Sequence, residues 1–548
     1  MKNKSLLLII LLGLLPLFNL LTPGLPITHD GTDHVARIAN FYLGLTDGVW
    51  FPRWGANLNW GYGHPVLMFL YPFSSYFASV FHLIGFSFVD SLKIIFALGF
   101  VASGLTMYLW VKEQFGEEYA LISSVIYMYA PYRFIDLYVR GAIGEHMAFI
   151  FPPLIMFFIH RYFSDKRYLS GSLVGVSGAF GLLLLAHNAI SLMFCPVFLL
   201  YVLFLAVSKQ KYKRLIPIFS AFLIGFLLSS FFVIPAFLEG KFTLRDIVTG
   251  DEYKTRFITN PLSLLYGPWS YGITGQFTTQ IGLVNVLGIL LVPLLFIRSK
   301  SKEYRAFFMG LLIMLAASLF LTLSYSNFLY DVITTFKKFQ FPWRFLSLSV
   351  FLCAVITPST LLFVKKGKMR TLVIVCLMLF AILPTFSYWK AKEYKVIPDS
   401  FYENIYHGTT DTGESSPIWS VRFMEREAKA NAEVIEGTGS IQEIKRTSIN
   451  HEYLITTTSG GRIRENTLYF PGWSVFDNGK KLDIEFQDPA NRGLITYQLN
   501  PGVHKISIVF TDTKLRMLSN ALSLVAFIFL TGIVSSLIYK KYSSRIKK

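Results

Sequence analysis

A dense group of polar side chains lies just after the first apolar run, in the segment HDGTDHVAR. It holds two carboxylates, Asp30 and Asp33, two imidazoles, His29 and His34, and a guanidinium at Arg37. A carboxylate within hydrogen-bonding reach can take a proton from an attacking hydroxyl or amide. An arginine can hold a phosphate through two parallel hydrogen bonds. The segment therefore contains the residue types of a site in which a carboxylate base lies beside a bound anion.

Similar polar residues recur at the ends of other apolar runs. They occur in PYRFIDLYVRGAIGEH, in KKFQFPWRF and in a His–Asn pair after another run. The residues are Arg133, Asp136, Arg140, Glu145, His146, His187, Asn188, Lys337, Lys338 and Arg344. Ionisable groups at membrane depth are costly and usually functional. If these segments share one side of a membrane, their side chains form a single candidate site.

Each candidate also has a purely structural explanation. Asp30 and Asp33 could cap a helix and face solvent. Arg140 and Arg344 could extend to lipid headgroups, and His187 could hydrogen-bond a helix end. The coincidence of these residues on one face favours the functional explanation, although it does not show that they meet in space.

Membrane helices are the elements that must position these residues. Of the 548 residues, 53% are hydrophobic, and apolar runs of spanning length, about 20 residues, recur along the chain. The net charge of +18 does not indicate nucleic acid binding, because Lys and Arg fall in short clusters between these runs, as topology signals do. Cys195, Cys353 and Cys376 lie inside apolar runs, which predicts packing rather than disulfides.

The basic clusters set the predicted topology, since Lys and Arg concentrate in cytoplasmic loops. These clusters are Lys2/Lys4, 161–167, 209–214, 298–305, 365–370 and 540–548. A topology of about twelve helices places all of these clusters in the cytoplasm. It predicts a multi-pass protein of the plasma membrane with both termini in the cytoplasm. The apolar run after the initial MKNK is predicted to be an uncleaved first helix. The predicted spans are 5–22, 90–112, 119–134, 146–161, 168–187, 189–207, 215–237, 282–297, 304–323, 344–364, 371–388 and 517–539.

One apolar stretch, Pro65 to Gly85, is left out of these spans. If it crossed the membrane, every later basic cluster would change sides. Its Pro72, its His82 and its many aromatic residues suit a helix that lies in the interface. Residues 23–88 are therefore predicted to form a long first outer loop within a transmembrane domain of residues 1–390.

The segment 391–516 differs from the rest, because it is polar and alternates as strands do, for example in HEYLITTTS and VHKISIVF. DNGK and NPG mark turns between the runs. We expect a small extracytoplasmic β-sandwich, followed by a final helix and a basic cytoplasmic tail over 517–548. Trp419 and Trp473 could bind sugar there, but core packing is the favoured explanation.

The first outer loop, in particular HDGTDHVARIANFYLGLTDGVWFPRWGANLNWGYGHPV, closely resembles a family of bacterial and archaeal membrane proteins labelled 6-pyruvoyl-tetrahydropterin synthase-related, and the related YfhO-like proteins. The segments APYRFIDLYVRGAIGEH, QFPWRFL and YFPGWSVFDNGKKL extend the resemblance over nearly the whole chain. The synthase in the label is small, soluble and zinc-dependent, and no histidine triad like its own stands out here. The layout of the family is similar to that of the GT-C glycosyltransferases.

The resemblance implies a glycosyltransferase whose donor is a polyprenyl-phosphate or polyprenyl-diphosphate sugar and whose acceptor is a glycan, a lipid or a protein. It places an acidic residue just after the first helix, and the pattern HDGxxH with a following arginine matches Asp30, His34 and Arg37; Asp33 occupies a variable position. The assigned roles are Asp30 as base and Glu145 as second carboxylate. The remaining assignments are His34 and His187 in support, Arg140 and Arg344 on the phosphate, and Arg37, Arg53 and Tyr62 as further substrate-binding candidates.

A divalent metal, Mg²⁺ or Mn²⁺, could bind Asp30 together with Glu145, although no compact ligand motif supports it. One rival hypothesis is a transporter or flippase of lipid-linked sugars, which would also need charges in the membrane. Against it, the charges gather at one face rather than at the midplane, and no clear inverted repeat is present. A second rival is a non-catalytic scaffold for envelope assembly that uses the outer domain.

Overall fold

The structure, a computed structural model, describes residues 2–165, 169–272, 276–299 and 301–546. Lys166 and Arg167, which belong to one predicted cytoplasmic cluster, lie outside the described residues. Within those ranges nine helices are long and apolar enough to cross a membrane. They are Lys4–Leu21, Phe88–Phe115, Ile143–Ser164, Leu169–Ala186, Asn188–Ser208, Lys302–Thr322, Pro342–Leu362, Lys368–Tyr388 and Lys514–Lys540.

Three further elements occupy the remaining predicted spans. Tyr212–Leu228 and Ser230–Leu238 form a pair bent by 73°, and the apolar helix Leu283–Arg298 is shorter. Glu117–Met128 is followed by the short helix Pro131–Phe134 in place of the predicted span 119–134. The polytopic helical fold is thus confirmed, while the number of crossings stays a prediction.

Contacts between helix ends gather the basic clusters at one end of the bundle. The Ser5 hydroxyl donates to Glu117 at 2.5 Å, and Arg370 contacts Glu118 at 2.6 Å. Lys209 donates to the Ser164 hydroxyl at 2.9 Å. The opposite end carries the first loop and the C-terminal sheet, and we call it the loop end.

The first loop is folded onto the loop end of the bundle. It contains a helix over Gly31–Thr46, which we call the loop helix, and a helix over Phe73–Leu83, which we call the interfacial helix. The interfacial helix has 11 residues, about 16 Å at 1.5 Å per residue, too few to cross a 30 Å hydrocarbon core. Phe77, Val80 and Leu83 leave its outer face apolar and exposed.

Strands in the C-terminal segment confirm the predicted β-rich region. A two-stranded sheet pairs β1, Leu25–Pro26, with β2, Tyr394–Lys395. The larger sheet has six antiparallel strands in the order β3-β4-β8-β5-β6, with β7 also paired to β4. These are β3 (Ala432–Arg446), β4 (Asn450–Leu468), β5 (Trp473–Asp477), β6 (Lys480–Leu482), β7 (Leu494–Leu499) and β8 (Gly502–Phe510).

The strands of the expected β-sandwich are hydrogen-bonded into a single sheet. The first half of β4 pairs with β8 and its second half with β7, while β3 follows both halves. The change of partner falls between Thr457 and Gly461, next to Gly460, whose φ of 73° favours glycine. Side chains from both halves, including Tyr453, Ile463 and Ile495, share one core.

Both tryptophans that the sequence offers as sugar contacts pack against other aromatic rings. Trp473 is buried and its ring lies 5.4 Å from that of Trp54 in the first loop. Trp419 packs on Phe486 at 4.9 Å. The sheet is therefore joined to the first loop through an aromatic contact.

Candidate functional site

The loop helix places three of the predicted site residues on one stripe. His34 and Arg37 follow Asp30 by four and seven positions, which in an α-helix brings them to the same face. Asp30 occupies the N-cap position, yet its carboxylate makes no capping hydrogen bond. Its backbone N–H instead donates to the Arg140 carbonyl at 2.9 Å, which fixes the helix start against the second polar segment.

Two glycines of the motif RGAIG allow this close approach. A Cβ atom at Gly141 would collide with the Thr28 hydroxyl, and Gly141 has a φ of 69°, which favours glycine. A Cβ atom at Gly144 would collide with the ring of Tyr71. The two positions let the first loop and the start of the interfacial region pack directly on the backbone beside Glu145.

Glu145 is the centre of a buried polar network. Its Oε1 accepts hydrogen bonds from Tyr132 at 2.7 Å and from Ser347 at 2.5 Å. Its Oε2 accepts from Arg140 at 2.8 Å and lies 3.5 Å from the Nε of Arg344. Because its side chain is fully buried, an unpaired charge there would be very costly, and these donors offset that cost. Glu145 therefore ties together two chain segments that carry cations.

Arg140 and Arg133 point to different surroundings. Arg140 also binds Asp136 at 2.6 Å. Arg133 lies deeper in the bundle, where it donates to Ser103 at 3.0 Å and stacks 4.0 Å from the ring centre of Phe149. Arg133 is thus a packing cation of the bundle, whereas Arg140 belongs to the network of Glu145.

A small cavity of about 20 Å³ lies beside the loop helix, lined among others by His34, Arg37, Tyr71 and Ser74. This is enough for about one water-sized group. Within the described part of the chain, His34 Nε2, Arg37 Nε and Ser74 Oγ are buried without a hydrogen-bond partner. Buried polar groups are normally paired, so three such atoms around one cavity indicate a place for polar ligand atoms.

Burial shifts the pKa of two residues that line this cavity, His34 and Tyr71. It lowers the pKa of His34 well below its usual range, and the charges of Arg37 and Arg140 lower it further. Burial also raises the pKa of Tyr71, whose ring stacks on His187 at 4.7 Å. The neutral imidazole of His34 can donate or accept a hydrogen bond at Nε2.

Two charged side chains of the site remain without partners. Neither the Asp30 carboxylate nor the Arg37 guanidinium forms a hydrogen bond or ion pair with any described residue. Both charges act on the phenol of Tyr71, as do those of Arg344 and Glu145. The site therefore combines a rigid, internally paired half with a half whose charges are available to a ligand.

Comparison with known proteins places this arrangement in a family. The sequence profile of the 6-pyruvoyl-tetrahydropterin synthase related domain, described as a membrane protein, matches residues 67–392. The chain belongs to this family. The match includes Glu145, His187 and Arg344, whereas the loop helix with Asp30 precedes it.

A relative from Lactococcus lactis subsp. cremoris (strain MG1363), described as an uncharacterized protein, is 25% identical over 300 residues. The alignment covers 51% of this chain and 48% of the relative, so the chain spans about half the length of the curated relative it matches.

Three solved structures are similar in part. The mycobacterial arabinofuranosyltransferase AftD is 13% identical, with 73% of this chain and 28% of that chain covered and a TM-score of 0.48. The oligosaccharyltransferase AglB of Archaeoglobus fulgidus, in complex with an inhibitory peptide and a dolichol-phosphate, is 15% identical, with 76% and 61% covered and a TM-score of 0.42. ArnT of Cupriavidus metallidurans, bound to undecaprenyl phosphate, is 15% identical, with 72% and 67% covered and a TM-score of 0.37.

Seven predicted site residues of this family member gather around the cavity and the network of Glu145, and two do not. Those brought together are Asp30, His34, Arg37, Arg140, Glu145, His187 and Arg344. Arg53 instead binds Asp512 at 2.7 Å near the last helix. Tyr62 lies against the sheet, where its carbonyl accepts from Leu468 at 2.9 Å. Both belong to the junction between the first loop and the sheet.

Sequence reasoning missed several polar residues of the site. Tyr71 and Ser74 belong to the stretch assigned to the interface by its composition, and Tyr132 and Ser347 lie within apolar runs. Tyr71 enters the site because Gly144 admits its ring. No local sequence pattern predicts that contact.

The predicted metal pair does not fit a metal centre. Both oxygens of Glu145 already accept hydrogen bonds from protein donors. Across the described ranges, no group of three or more His, Cys, Asp or Glu side chains is arranged to hold a metal ion.

Proposed function

We propose that the protein is a membrane glycosyltransferase that moves a sugar from a polyprenyl-phosphate carrier to an acceptor at the outer membrane face. The observation that carries the proposal is the pair of unpartnered charges, Asp30 and Arg37, on one stripe of the loop helix. They place a base and an anion-binding group at the loop end of the helical bundle, where a lipid-linked donor would present its phosphate.

In the proposed reaction the acceptor hydroxyl or amide attacks the anomeric carbon of the donor. Asp30 accepts the proton of the attacking group as the new bond forms. The bond between the anomeric carbon and the phosphate oxygen breaks, and the lipid phosphate leaves with the electron pair. Its negative charge grows in the transition state, where Arg37 and Arg344 stabilise it.

Glu145 acts in this proposal by positioning rather than by proton transfer. Its side chain is fully buried and contacts two hydroxyl donors and two arginines. Its negative charge therefore serves to hold Arg140 and Arg344 in place. His34 faces the cavity with an unpaired Nε2 and can bind a hydroxyl of the substrate. His187 supports the ring of Tyr71.

The test is a reconstituted transfer assay. The purified protein is placed in liposomes with a labelled polyprenyl-phosphate sugar, and lipid extract from a strain lacking the protein supplies the acceptor. We expect label to move to an acceptor with wild-type protein and with Glu118→Gln, a change at the opposite end of the bundle, but not with Asp30→Asn.

Two results would count against the proposal. If labelled donor crosses the liposome membrane without transfer, the protein is a transporter of lipid-linked sugars. If neither transfer nor movement occurs while the deletion strain accumulates no polyprenyl-phosphate sugar and loses no glycan, the scaffold hypothesis is favoured.

A further inference from the structure

A second concave site lies at the junction between the first loop and the sheet. This cleft of about 410 Å³ is bounded by the chain after the loop helix and by the ends of β3 and β8. We call it the junction cleft; its walls include Trp50, Trp54, Ser448, Phe510 and Asp512. Its volume falls in the range of roughly 300–1,000 Å³ that is usual for sites that bind small molecules.

The sequence of the last helix predicts that the junction cleft lies near the depth of the lipid headgroups. The last helix carries no charged side chain between Arg516 and Lys540, a stretch long enough to cross the hydrocarbon core. Asp512 comes four residues before Arg516, just above that stretch. The Trp50 carbonyl also accepts a 2.7 Å hydrogen bond from Tyr76 of the interfacial helix, whose outer face is apolar.

The charges around the cleft cancel within the protein. Arg53 binds Asp512 at 2.7 Å, and it also donates to Asn520 and to the Phe231 carbonyl. It is buried, so its hydrogen-bonding capacity is largely used. Among the described residues, the cleft therefore offers no free cation with which to select a phosphate, and it complements an uncharged ligand.

The groups that remain available are aromatic faces and hydroxyls. Trp50 is 82% exposed, while Trp54 and Phe510 form an inner aromatic wall with ring centres 5.5 Å apart. The buried hydroxyl of Ser448 has no partner among the described residues, although its backbone N–H donates to Asp47 at 2.7 Å. An aromatic face with nearby hydroxyl groups suits the C–H face and the hydroxyls of a sugar ring.

We propose that the junction cleft binds the neutral sugar headgroup of a membrane glycolipid. The cleft is separate from the site of Asp30, because the loop helix between them has 16 residues and is about 24 Å long. The inference does not rest on glycosyl transfer, since binding can be measured without turnover. Arg53, which the sequence predicted to bind substrate beside Asp30, lines the junction cleft instead.

The test compares lipids in nanodiscs. The full-length protein is reconstituted in phosphatidylcholine that contains a small fraction of diglucosyl diacylglycerol or, separately, of phosphatidylglycerol. Lipid that stays with the protein after exchange into pure phosphatidylcholine is counted by native mass spectrometry. We expect retention of the glycolipid and not of phosphatidylglycerol.

Variants connect the retention to the cleft. Trp50→Ala should weaken glycolipid binding about tenfold, which corresponds to 1.4 kcal/mol, and Ser448→Ala should weaken it less. Trp50 is exposed, so its replacement leaves the fold intact. Phe77→Ala is the matched control, because Phe77 is an exposed aromatic residue of the same surface that does not line the cleft.

Three outcomes would overturn the proposal. Equal retention of all lipids would mean that the cleft has no sugar specificity. Preferred retention of phosphatidylglycerol would make it an anionic phospholipid site. An equal loss of glycolipid in Phe77→Ala and Trp50→Ala would show that the whole apolar surface, rather than the cleft, binds the lipid.

Discussion

The hydroxyl of Tyr406 donates a 2.8 Å hydrogen bond to Oδ1 of Asp33, across 373 positions of the chain. The same segment is held to the first loop by Tyr406 N–H on the Asn57 carbonyl at 2.7 Å and by Asn59 N–H on the Gly408 carbonyl at 2.8 Å. Asp33 is therefore engaged in fastening the loop helix. Asp30, three residues earlier, keeps its carboxylate free of the protein.

The first prediction separates these two carboxylates. Asp30→Asn keeps the shape of the side chain and removes its basicity, so transfer should fall by about 10²–10⁴-fold if Asp30 is the base. Asp33→Asn keeps an acceptor for Tyr406 and should cost much less. Initial rates of labelled-sugar transfer measure both. A large loss in Asp33→Asn with near-normal turnover in Asp30→Asn would reverse the assignment.

A second prediction concerns the pH dependence of stability at Asp33. Burial raises the pKa of Asp33 above its ordinary value of 3.8, and the charge of Arg37 and the Tyr406 hydrogen bond oppose this only in part. The folded protein then keeps the proton to a higher pH than the unfolded chain. The stabilising contribution of this group is complete below pH 3.8 and is lost as the pH rises through the raised pKa.

Melting temperatures measured in detergent at stepped pH values check this sign. The wild-type value should fall across that window relative to Asp33→Asn, whose side chain does not titrate. A difference between the two proteins that is constant with pH would contradict the prediction. Glu118→Gln serves as the control, because Glu118 is an exposed carboxylate at the other end of the bundle.

The third prediction concerns the donor phosphate. Arg344→Lys and Arg37→Lys keep the charge but lose the planar fork that binds two phosphate oxygens. Each should raise the KM for the polyprenyl-phosphate sugar more than it lowers kcat. Arg464→Lys, a change in the sheet where Arg464 pairs with Glu433 at 2.6 Å, should leave both constants near their wild-type values. A loss of kcat alone would move these arginines from donor binding to another role.

Much of the site followed from the sequence, because topology decides which helix ends share a face. Once Lys and Arg clusters fix the direction of each crossing, the segments of Asp30, Glu145 and Arg344 are predicted to lie at the same end of the bundle. Long-range pairing was different. Arg53 is paired with Asp512, 459 positions away, and no local pattern of charge or hydropathy records that contact.

The β-region shows the same division. Alternation and turn residues predicted the strands, since side chains on a strand alternate between its faces. The change of partner of β4 from β8 to β7 is set by pairing between segments far apart in the chain. Alternation is equally compatible with two sheets or with one folded sheet, so the sequence pattern does not distinguish them.

The fourth prediction is the orientation of the bundle in the membrane. Single cysteines at Lys211 and Lys366, introduced after replacement of Cys195, Cys353 and Cys376, should react with an impermeant thiol reagent only after the cell is opened. A cysteine at Asn478, in the turn between β5 and β6, should react in intact cells. Labelling of position 211 from outside would invert the predicted topology and place the site of Asp30 in the cytoplasm.

The last prediction tests whether Glu145 positions the cations. Glu145→Gln removes the charge that offsets Arg140 and Arg344 in a buried environment, and removing one partner of such a network typically costs about 3–5 kcal/mol. Thermal unfolding in detergent should therefore shift strongly downward.

Glu118→Gln removes a charge of the pair with Arg370, but the Glu118 side chain is 48% exposed, so the cost should be about 0–1 kcal/mol.

If Glu145→Gln instead unfolds like the wild type and loses only the rate of transfer, then the network is not what holds the two arginines. In that case Glu145 would contact the substrate, and the proton would have two candidate acceptors, Asp30 and Glu145. The pH profile of the remaining activity in each single variant would then identify which carboxylate accepts it, because the variant that lacks the base loses the acidic limb of the profile.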